Sequence, residues 1–371
     1  MEEDAVTTDF SALSKPSRVA DPEEGISTEE LQLAARNHGL PLEALRYDIT
    51  PPGLHYLLSH YDIPAVDAAE FRILVDGLVD TPLTLDLDDL RSRPRVSTVV
   101  TLECAGNGRA RLHPRPVSQP WLVEAVGTSR WTGTPLAPLL REAGVHDDAV
   151  DVVFTGADHG VERGVEQDYQ RSLSMAEALS DDVLLVYEMN GAPLPPQHGF
   201  PLRLVVPGWY GMAHVKWLAR IDIVAEPFEG HQMRAYRIRQ EKDEQGVPLT
   251  RIEPRALLVP PGFPDYMSRT RVLRVGPTKV EGRAWSGWAP VDAVEVSVDG
   301  GETWDAAALE PAPDRWGWAR WTWTWEATAG SYVLSARASD RSGRSQPVEP
   351  AWNRGGFANN LIQRVPLVVS S

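Results

Sequence analysis

Residues 99–112 read VVTLECAGNGRARL, and this stretch decides what the rest of the chain is expected to be. The β-branched and apolar run that ends at Cys104 is typical of a buried strand, and the glycine-broken sequence after it is typical of a small loop. Cys104 is the only cysteine in the 371-residue chain. A lone cysteine excludes an intrachain disulfide, but it leaves open a buried apolar thiol, a nucleophile and a metal ligand.

The composition is that of an acidic globular protein. With 371 residues and 42% hydrophobic residues, the chain can bury the cores of two or three domains. A formal net charge of −16 opposes binding to a phosphate backbone, so nucleic acid is not expected as a partner. The sequence holds no run of about 18 apolar residues and begins with acidic residues, so we expect a cytoplasmic protein with no membrane segment and no secretory signal.

The first two parts of the chain differ in pattern. Residues 1–44 predict a polar arm followed by a helix, in which Ser27 and Glu30 have capping-box spacing and Gly39 is placed to end the helix. Residues 45–245 alternate short helical patterns with β-branched runs, which predicts a mixed α+β domain. The predicted strands are FRILVDGLV, RVSTVVTLEC, DAVDVVFTG, DDVLLVYEM, PLRLVVP and HVKWLARIDIV, and the predicted helices are TPLAPLLREAG and SLSMAEALS.

The last part of the chain predicts an all-β domain. Residues 240–266 are charged and then proline-rich, which predicts a connection between domains. Residues 260–371 hold alternating strands with turn signals, which is typical of a β-sandwich. One of these strands carries three tryptophans that alternate with threonines, so their rings are expected to share one face in a core: Trp321, Trp323 and Trp325.

The sequence TLECAGNGR at residues 101–109 resembles the sulfite oxidase family of molybdenum enzymes, in which a cysteine at a strand end, followed by Ala-Gly-Asn, is the protein ligand of the metal. Three further stretches are similar to the family in the family's order: FTGAD, LLVYEMNGAPLPPQHGFPLRLVVPGWYGMAHVKWL, and AWSGW with VEVSVDGGETW. The resemblance covers roughly residues 45–365. It implies an α+β fold, in which a sulfite-oxidase-like mixed α+β molybdopterin domain is followed by an immunoglobulin-like β-sandwich that usually dimerises.

The resemblance also implies which residues hold the cofactor, a molybdenum atom on a single pyranopterin (molybdopterin). Cys104 would be the molybdenum ligand, and a soft thiolate suits that metal. Arginine and lysine suit the phosphate of the cofactor, whereas the pterin edge needs paired hydrogen-bond donors and acceptors. The residues at the family's cofactor-binding positions are His60, Asp158, His198, Arg203, His214, Val215 and Lys216.

Three more residues would face the substrate. By the resemblance, Arg109 would hold an oxyanion, Trp121 would wall the pocket and Tyr236 would hydrogen-bond the transferred oxygen. Two departures make this site less positive than in the family's sulfite oxidases, because Leu58 and Pro290 stand where arginines are expected. Each ionic hydrogen bond contributes about 1.5–3 kcal/mol, so the loss of two would weaken a doubly charged substrate by roughly 10² to 10⁴.

The preferred function is that of a molybdopterin-dependent oxidoreductase that oxidises sulfite or a related sulfur oxyanion by oxygen-atom transfer. The alternatives are reduction of S-oxides or N-oxides on the same cofactor, a cofactor-free binding or scaffold protein, and a cysteine hydrolase built on Cys104. The sequence holds no haem-attachment motif and no cysteine set for an iron–sulfur cluster, which implies an external electron acceptor such as a cytochrome. By the resemblance, the substrate is a small anion or oxide and the chain forms a homodimer.

Overall fold

The computed structural model describes residues 10, 13 and 18–371, so the acidic start and most of the predicted arm lie outside the described residues. Within these residues the chain forms five α-helices: α1 (Thr28–Arg36), α2 (Leu87–Arg91), α3 (Leu136–Ala143), α4 (Met175–Ala178) and α5 (His231–Ala235). Short 3₁₀ segments lie at Leu42–Arg46, Pro52–Leu54, Arg109–Arg111, Pro196–His198 and Gly211–Ala213. No helix in the described part of the chain is long and apolar enough to cross a membrane.

Helix α1 begins as its capping box predicts and ends earlier than expected. The Ser27 hydroxyl accepts a hydrogen bond from the Glu30 N–H at 3.2 Å, and the Glu30 carboxylate accepts one from the Ser27 N–H at 2.9 Å. The prediction that Gly39 ends the helix is wrong. Asn37 ends it, because its backbone is extended and its side-chain N–H donates to the Leu33 carbonyl at 3.0 Å.

The first domain holds two sheets. Their strands are β1 (Ile73–Gly77), β2 (Leu83–Leu85), β3 (Val96–Glu103), β4 (Val126–Pro135), β5 (Asp151–Glu162), β6 (Val165–Ser174), β7 (Leu184–Met189), β8 (Ala192–Pro193), β9 (Arg203–Val205) and β10 (Leu218–Val224). One sheet has the order β2-β1-β10-β5-β6, and the other has the order β3-β4-β7-β8 with β9 paired to β7. All six predicted strands lie in these sheets. The sequence does not predict β4 and β6, because their polar and charged residues interrupt any apolar run.

The second domain is a β-sandwich, preceded by a small hairpin of β11 (Arg237–Ile238) and β12 (Val247–Pro248). Its strands are β13 (Arg255–Leu258), β14 (Phe263–Pro264), β15 (Arg271–Arg274), β16 (Gly276–Trp285), β17 (Val291–Ser297), β18 (Asp305–Ala306), β19 (Ala308–Leu309), β20 (Ala319–Ala327), β21 (Gly330–Asp340) and β22 (Val365–Ser370). The two sheets have the orders β13-β16-β20-β19 and β14-β15-β22-β21-β17-β18. The three tryptophans of β20 pack in the sandwich core, as predicted.

The segment at residues 240–266 is more than a connection. Its residues Arg255–Leu258 form strand β13, in which all four residues are buried and which pairs with β16. Pro254 and Pro260 stand on either side of the short apolar run, so they bound a strand instead of marking a linker. The sandwich therefore includes residues that the predicted range 260–371 leaves out.

The two domains share a core around the loop that follows β3. Ala105 and Tyr236 from the first domain pack in one buried cluster with Trp285 and Phe357 from the second. The Ala358 N–H donates a hydrogen bond to the Ala105 carbonyl at 2.9 Å. The loop after β3 is thus built partly on the sandwich.

A fully buried ion pair ties the same loop to the second domain. Arg255 Nε lies 2.7 Å from Oε1 of Glu103, and both side chains are 1% exposed. The Glu103 carboxylate also accepts hydrogen bonds from the Trp285 indole at 2.8 Å and from the Asn107 amide at 3.0 Å. Because Glu103 directly precedes Cys104, this network fixes the end of the strand that carries the cysteine.

Replacing Arg255 with Met should lower the free energy of unfolding by about 3–5 kcal/mol, because Glu103 would be left as a buried charge without its cation. Arg364→Met is the control, since Arg364 pairs with Glu349 at the surface, where an ion pair contributes about 0–1 kcal/mol. Urea denaturation measures both variants. A loss of stability no larger in Arg255→Met than in Arg364→Met would contradict the importance of the buried pair.

Candidate active site

One cavity in the first domain brings most of the predicted site residues together. It contains about 670 Å³ of empty space, its open mouth included. Eight of the eleven predicted residues line it: His60, Cys104, Asp158, His198, Arg203, His214, Lys216 and Tyr236. The fold collects them from distant segments, since Cys104 follows β3, Arg203 begins β9 and Tyr236 follows α5.

Cys104 is buried, yet it reaches the cavity. Its N–H donates to the Ala125 carbonyl at 2.9 Å, and its own carbonyl accepts from the Asn107 N–H at 3.0 Å, which closes the turn. Burial raises the pKa of the Cys104 thiol, and the positive charge of Arg109 opposes that rise. Because burial favours the neutral thiol, a thiolate at this position needs a bound metal or a further cation.

The two glycines of the loop make room for other parts of the protein. A Cβ on Gly106 would lie 2.5 Å from Nη2 of Arg109, so only glycine lets the guanidinium cover the turn. Gly108 has a φ of +93°, and a Cβ there would lie 2.7 Å from the Asn359 carbonyl oxygen of the second domain. The loop can therefore pack tightly against the sandwich.

Two cations at the cavity are held by neutral oxygen atoms. Arg203 Nη1 donates to the His198 carbonyl at 2.9 Å, and its guanidinium carbon lies 4.7 Å from the centroid of the Trp131 ring. Lys216 Nζ donates to the Leu58 carbonyl at 2.9 Å. Burial lowers the pKa of Arg203 to about 10 and that of Lys216 to about 7. Within the described residues neither cation forms an ion pair, although the charge of Asp158 opposes the fall in the pKa of Lys216. The two cations therefore favour an anionic ligand.

Burial also keeps the histidines of the cavity neutral. It lowers the pKa of His214 to about 3, that of His198 to about 2 and that of His55 to about 4. Nδ1 of His214 accepts from the Val206 N–H at 3.0 Å, so Nε2 carries the proton and donates to the Trp209 carbonyl at 3.0 Å. Both ring nitrogens of His214 are thus used by the backbone, which leaves its ring to shape the cavity wall.

Tyr236 lies between the cavity and the second domain. Its hydroxyl is 2.9 Å from Nε2 of His60, and its ring centroid is 5.1 Å from that of Phe357. Burial raises the pKa of Tyr236 well above its ordinary value, so the side chain stays a phenol. Burial also lowers the pKa of His60, against the negative charge of Glu162. Tyr236 therefore presents a neutral hydroxyl to the cavity, and its contact with His60 fixes the orientation of its ring.

Three predicted residues do not line the cavity. The Arg109 guanidinium donates through Nε to the Gly355 carbonyl of the second domain at 2.9 Å. Trp121 packs in the same buried cluster as Cys104. Val215 lies in the main core of the first domain. Arg109 and Trp121 therefore stand around the cysteine without forming the wall that a ligand would meet.

Known proteins share this arrangement of domains. Residues 60–232 match the model of the oxidoreductase molybdopterin binding domain, and residues 265–370 match that of the Mo-co oxidoreductase dimerisation domain. The chain is 36% identical to the sulfite oxidase of Gallus gallus over 342 residues, which are 85% of this chain and 72% of that protein. The chain belongs to the sulfite oxidase family. Membership implies a molybdenum cofactor and an oxidoreductase activity.

Two further known proteins extend the comparison. The chain is 34% identical to the mitochondrial sulfite oxidase of Homo sapiens over 87% of its own length, but it spans only 62% of that protein. The crystal structure of the sulfane dehydrogenase SoxCD from Paracoccus pantotrophus superposes with a TM-score of 0.78 at 26% identity, and the match covers 95% of this chain and 90% of that one. This likeness confirms the predicted fold class.

Only one of the two expected departures from the family's sulfite oxidases lies at the cavity. Leu58 lines it, so no cation stands at that position. Pro290 lines a separate depression on the sandwich, where its carbonyl accepts the Arg341 N–H at 3.0 Å. The expectation that Pro290 removes a charge from the substrate site is wrong, because the second domain approaches this region through Gly355 and Phe357 instead.

Sequence analysis misses several cavity residues of this family member. His55, Tyr56, Tyr169 and Met212 all line the cavity. The Tyr169 hydroxyl donates to the Met212 carbonyl at 2.8 Å, which fixes the ring. His55 and Tyr56 stand close before the predicted His60 in LHYLLSH, and that aromatic clustering is the signal that could have found them. Tyr169 lies in the charged strand β6 and carries no such signal.

Some buried polar groups of the cavity have no hydrogen-bond partner, and a cofactor that fits the cavity should supply the missing partners. Asp158 Oδ1, Arg203 Nε and His55 Nε2 are buried and have no hydrogen-bond partner in the described part of the chain. Each unmet buried group costs about 1–3 kcal/mol. A ligand that presents both donors and acceptors, together with a phosphate near Arg203 and Lys216, would satisfy them. The residues present therefore fit the molybdenum cofactor.

Asp158 should make the cofactor-free protein less stable as the pH rises. Burial raises the pKa of this carboxyl from 3.8 to about 6, so between these values the folded state binds the proton more tightly than the unfolded state. The free energy of unfolding should then fall by up to about 3 kcal/mol as the pH rises from about 4 to about 6 and should stay reduced above that. Asp158→Asn should remove this fall.

Chemical denaturation at a series of pH values, on protein made without the cofactor, measures the effect. Asp182→Asn is the matched control, since Asp182 is an exposed carboxyl in a turn of the same domain. Equal pH dependence in Asp158→Asn and in the wild type would show that Asp158 does not carry the effect.

Proposed function

We propose that this protein is a molybdenum-dependent oxidoreductase that oxidises sulfite or a related sulfur oxyanion, with a single pyranopterin in the cavity beside Cys104. The observation that carries the proposal is the position of the chain's only cysteine at a cavity whose buried polar groups lack partners. The names of the relatives, sulfite oxidase and sulfane dehydrogenase, support a sulfur compound as the substrate.

Cys104 would bind molybdenum as a thiolate. When bound, the cofactor supplies oxygen-atom transfer and takes up two electrons. Arg203 and Lys216 would hold its phosphate, because they are the two cations at the cavity that lack a carboxylate partner. Asp158 and His198 would contact the pterin edge, and His214 and Val215 would support that side of the cavity: His214 by its backbone-bonded ring and Val215 from the core.

The substrate would meet the side of the cavity formed by Tyr236 and His60. The phenol would donate a hydrogen bond to the substrate oxygen, and the contact with His60 at 2.9 Å would orient it. Arg109 would act at one remove, because its buried positive charge lies beside Cys104 and would stabilise an oxyanion there. Trp121 would close the wall behind the cysteine.

Two partners follow from the same proposal. Because this chain has one cysteine and no haem-attachment motif, its electrons would pass to an external carrier such as a cytochrome. The sandwich, which matches a dimerisation domain, would join two copies of the chain into a homodimer.

One observation favours a second candidate, the reduction of an S-oxide or N-oxide on the same cofactor. Leu58 gives the cavity an apolar side chain where the family's sulfite oxidases are expected to have an arginine. A less positive site binds a doubly charged anion more weakly, whereas a neutral oxide loses little. The direction of the reaction therefore has to be measured.

The substrate profile of the purified holoenzyme separates the two candidates. We expect sulfite to reduce an artificial acceptor such as ferricyanide, and we expect reduced methyl viologen to be oxidised slowly or not at all with dimethyl sulfoxide. No sulfite-dependent reduction, together with rapid turnover of the S-oxide, would overturn sulfite oxidation and support the reductase. Molybdenum and pterin analysis of the same sample should give one of each per chain. Absence of both, after expression in a host that makes the cofactor, would favour a cofactor-free binding protein.

A further inference from the structure

A second cleft, which we name the basic cleft, opens between the two domains near the cavity. It is lined by α5, the hairpin of β11 and β12, the turn between β5 and β6, and residues 354–357 of the second domain, and it holds about 960 Å³ with its open mouth included. One carboxylate, Glu244, lines it, and the rest of its charged lining is basic: Arg163, Arg234, Arg237, Arg239, Lys242 and Arg354, with His231 beside them. Such a concentration of positive charge stands out in a chain with a net charge of −16.

The positive charges of the basic cleft are held in place without being neutralised. Arg237 donates to the Gln245 carbonyl at 2.6 Å and to the Gly246 carbonyl at 2.8 Å. Arg239 donates to the carbonyls of Glu244 and Arg234, each at 2.7 Å. A carbonyl oxygen orients a guanidinium but carries no net charge. Within the described residues none of the six arginine and lysine side chains of the cleft forms an ion pair, so their combined charge remains available to a ligand.

The cations repel one another and leave hydrogen-bonding capacity unused. Burial lowers the pKa of Arg239, and the neighbouring Arg237 and Arg163 lower it further, against the negative charge of Glu244. Arg354 Nε is buried without a hydrogen-bond partner in the described part of the chain. Gathering like charges in one concave place costs electrostatic free energy, which a bound anion would offset.

The basic cleft is separate from the cavity that holds Cys104. The two share no lining residue. The rings of Tyr236 and Phe357, tilted by 37° with centroids 5.1 Å apart, lie between them, with Tyr236 on the cavity side and Phe357 on the cleft side. A molecule in the cleft therefore need not displace a ligand beside the cysteine.

We propose that the basic cleft binds a small anion that carries two or more phosphate or sulfonate groups. A single oxyanion could engage only part of a lining that extends over two domains, whereas a multiply charged one can engage several guanidinium groups at once. The concave shape and the volume suit a small molecule better than the flat surface of a protein. The proposal rests on the lining residues of the cleft and is independent of the metal and of the reaction.

Isothermal titration calorimetry tests the proposal by measuring how tightly the holoenzyme binds each of two anions, pyrophosphate and methanedisulfonate. The ionic strength is held constant, because salt screens such binding. The informative variant is Arg163→Gln/Lys242→Gln, because neither side chain donates a hydrogen bond within the described residues and the fold should not depend on them. Lys279→Gln is the control, since Lys279 is an exposed cation on β16 of the sandwich. Lys242→Gln alone serves if the double variant does not fold.

We expect one saturable site in the wild type, at least tenfold weaker binding in the double variant, a smaller loss in Lys242→Gln, and binding within twofold of the wild type in Lys279→Gln. Binding of both anions would assign recognition to charge alone, and binding of pyrophosphate only would assign it to phosphate. Cys104→Ser should bind the anions as tightly as the wild type does, because the basic cleft does not include the proposed metal ligand. Anion binding is thereby tested separately from metal binding. No saturable binding of either anion, equal affinity in the double variant, or loss of binding in Cys104→Ser would overturn the proposal.

Discussion

The buried contact between Glu103 and Arg255 is the constraint on which the site depends. A carboxylate that is 1% exposed is tolerated only with a cation and hydrogen-bond donors around it, and both the cation and the Trp285 indole come from the second domain. The residue after Glu103 is the cysteine. The sandwich therefore does more than offer a surface to a second chain, since the strand end that presents Cys104 is completed only when the two domains are packed together.

The cavity and the basic cleft, which lie on opposite sides of the Tyr236 ring, hold their cations in the same way. In both, arginine and lysine side chains are fixed by backbone carbonyls and form no ion pair within the described residues. Carbonyl oxygens set the direction of a guanidinium or ammonium group at little electrostatic cost, and the low dielectric of the interior then makes the remaining charge effective toward an anion. The cations are preorganised, so a ligand would not have to order them on binding.

The sequence predicts what depends on local pattern. The strand that ends at Cys104, the capping box at Ser27 and the tryptophan face of β20 all lie where the periodicity places them. Prediction from the sequence fails where a contact between distant segments of the chain determines the local structure. Strand β13 is hidden by flanking prolines and is made a strand by its pairing with β16. His214 sits in the predicted block, but only the structure shows its ring nitrogens taken by the backbone. The sequence wrongly predicts Pro290 at the substrate site, because sequence order does not reveal which segment of the second domain approaches the first.

The central claim is that the sulfur of Cys104 is bonded to molybdenum, and X-ray absorption at the molybdenum edge tests it most directly. One pyranopterin contributes two dithiolene sulfurs, so the wild type should show three sulfur neighbours and Cys104→Ser should show two, with the metal content of the two proteins compared in the same samples. An unchanged number of sulfur neighbours in a Cys104→Ser protein that still holds the metal would contradict the account.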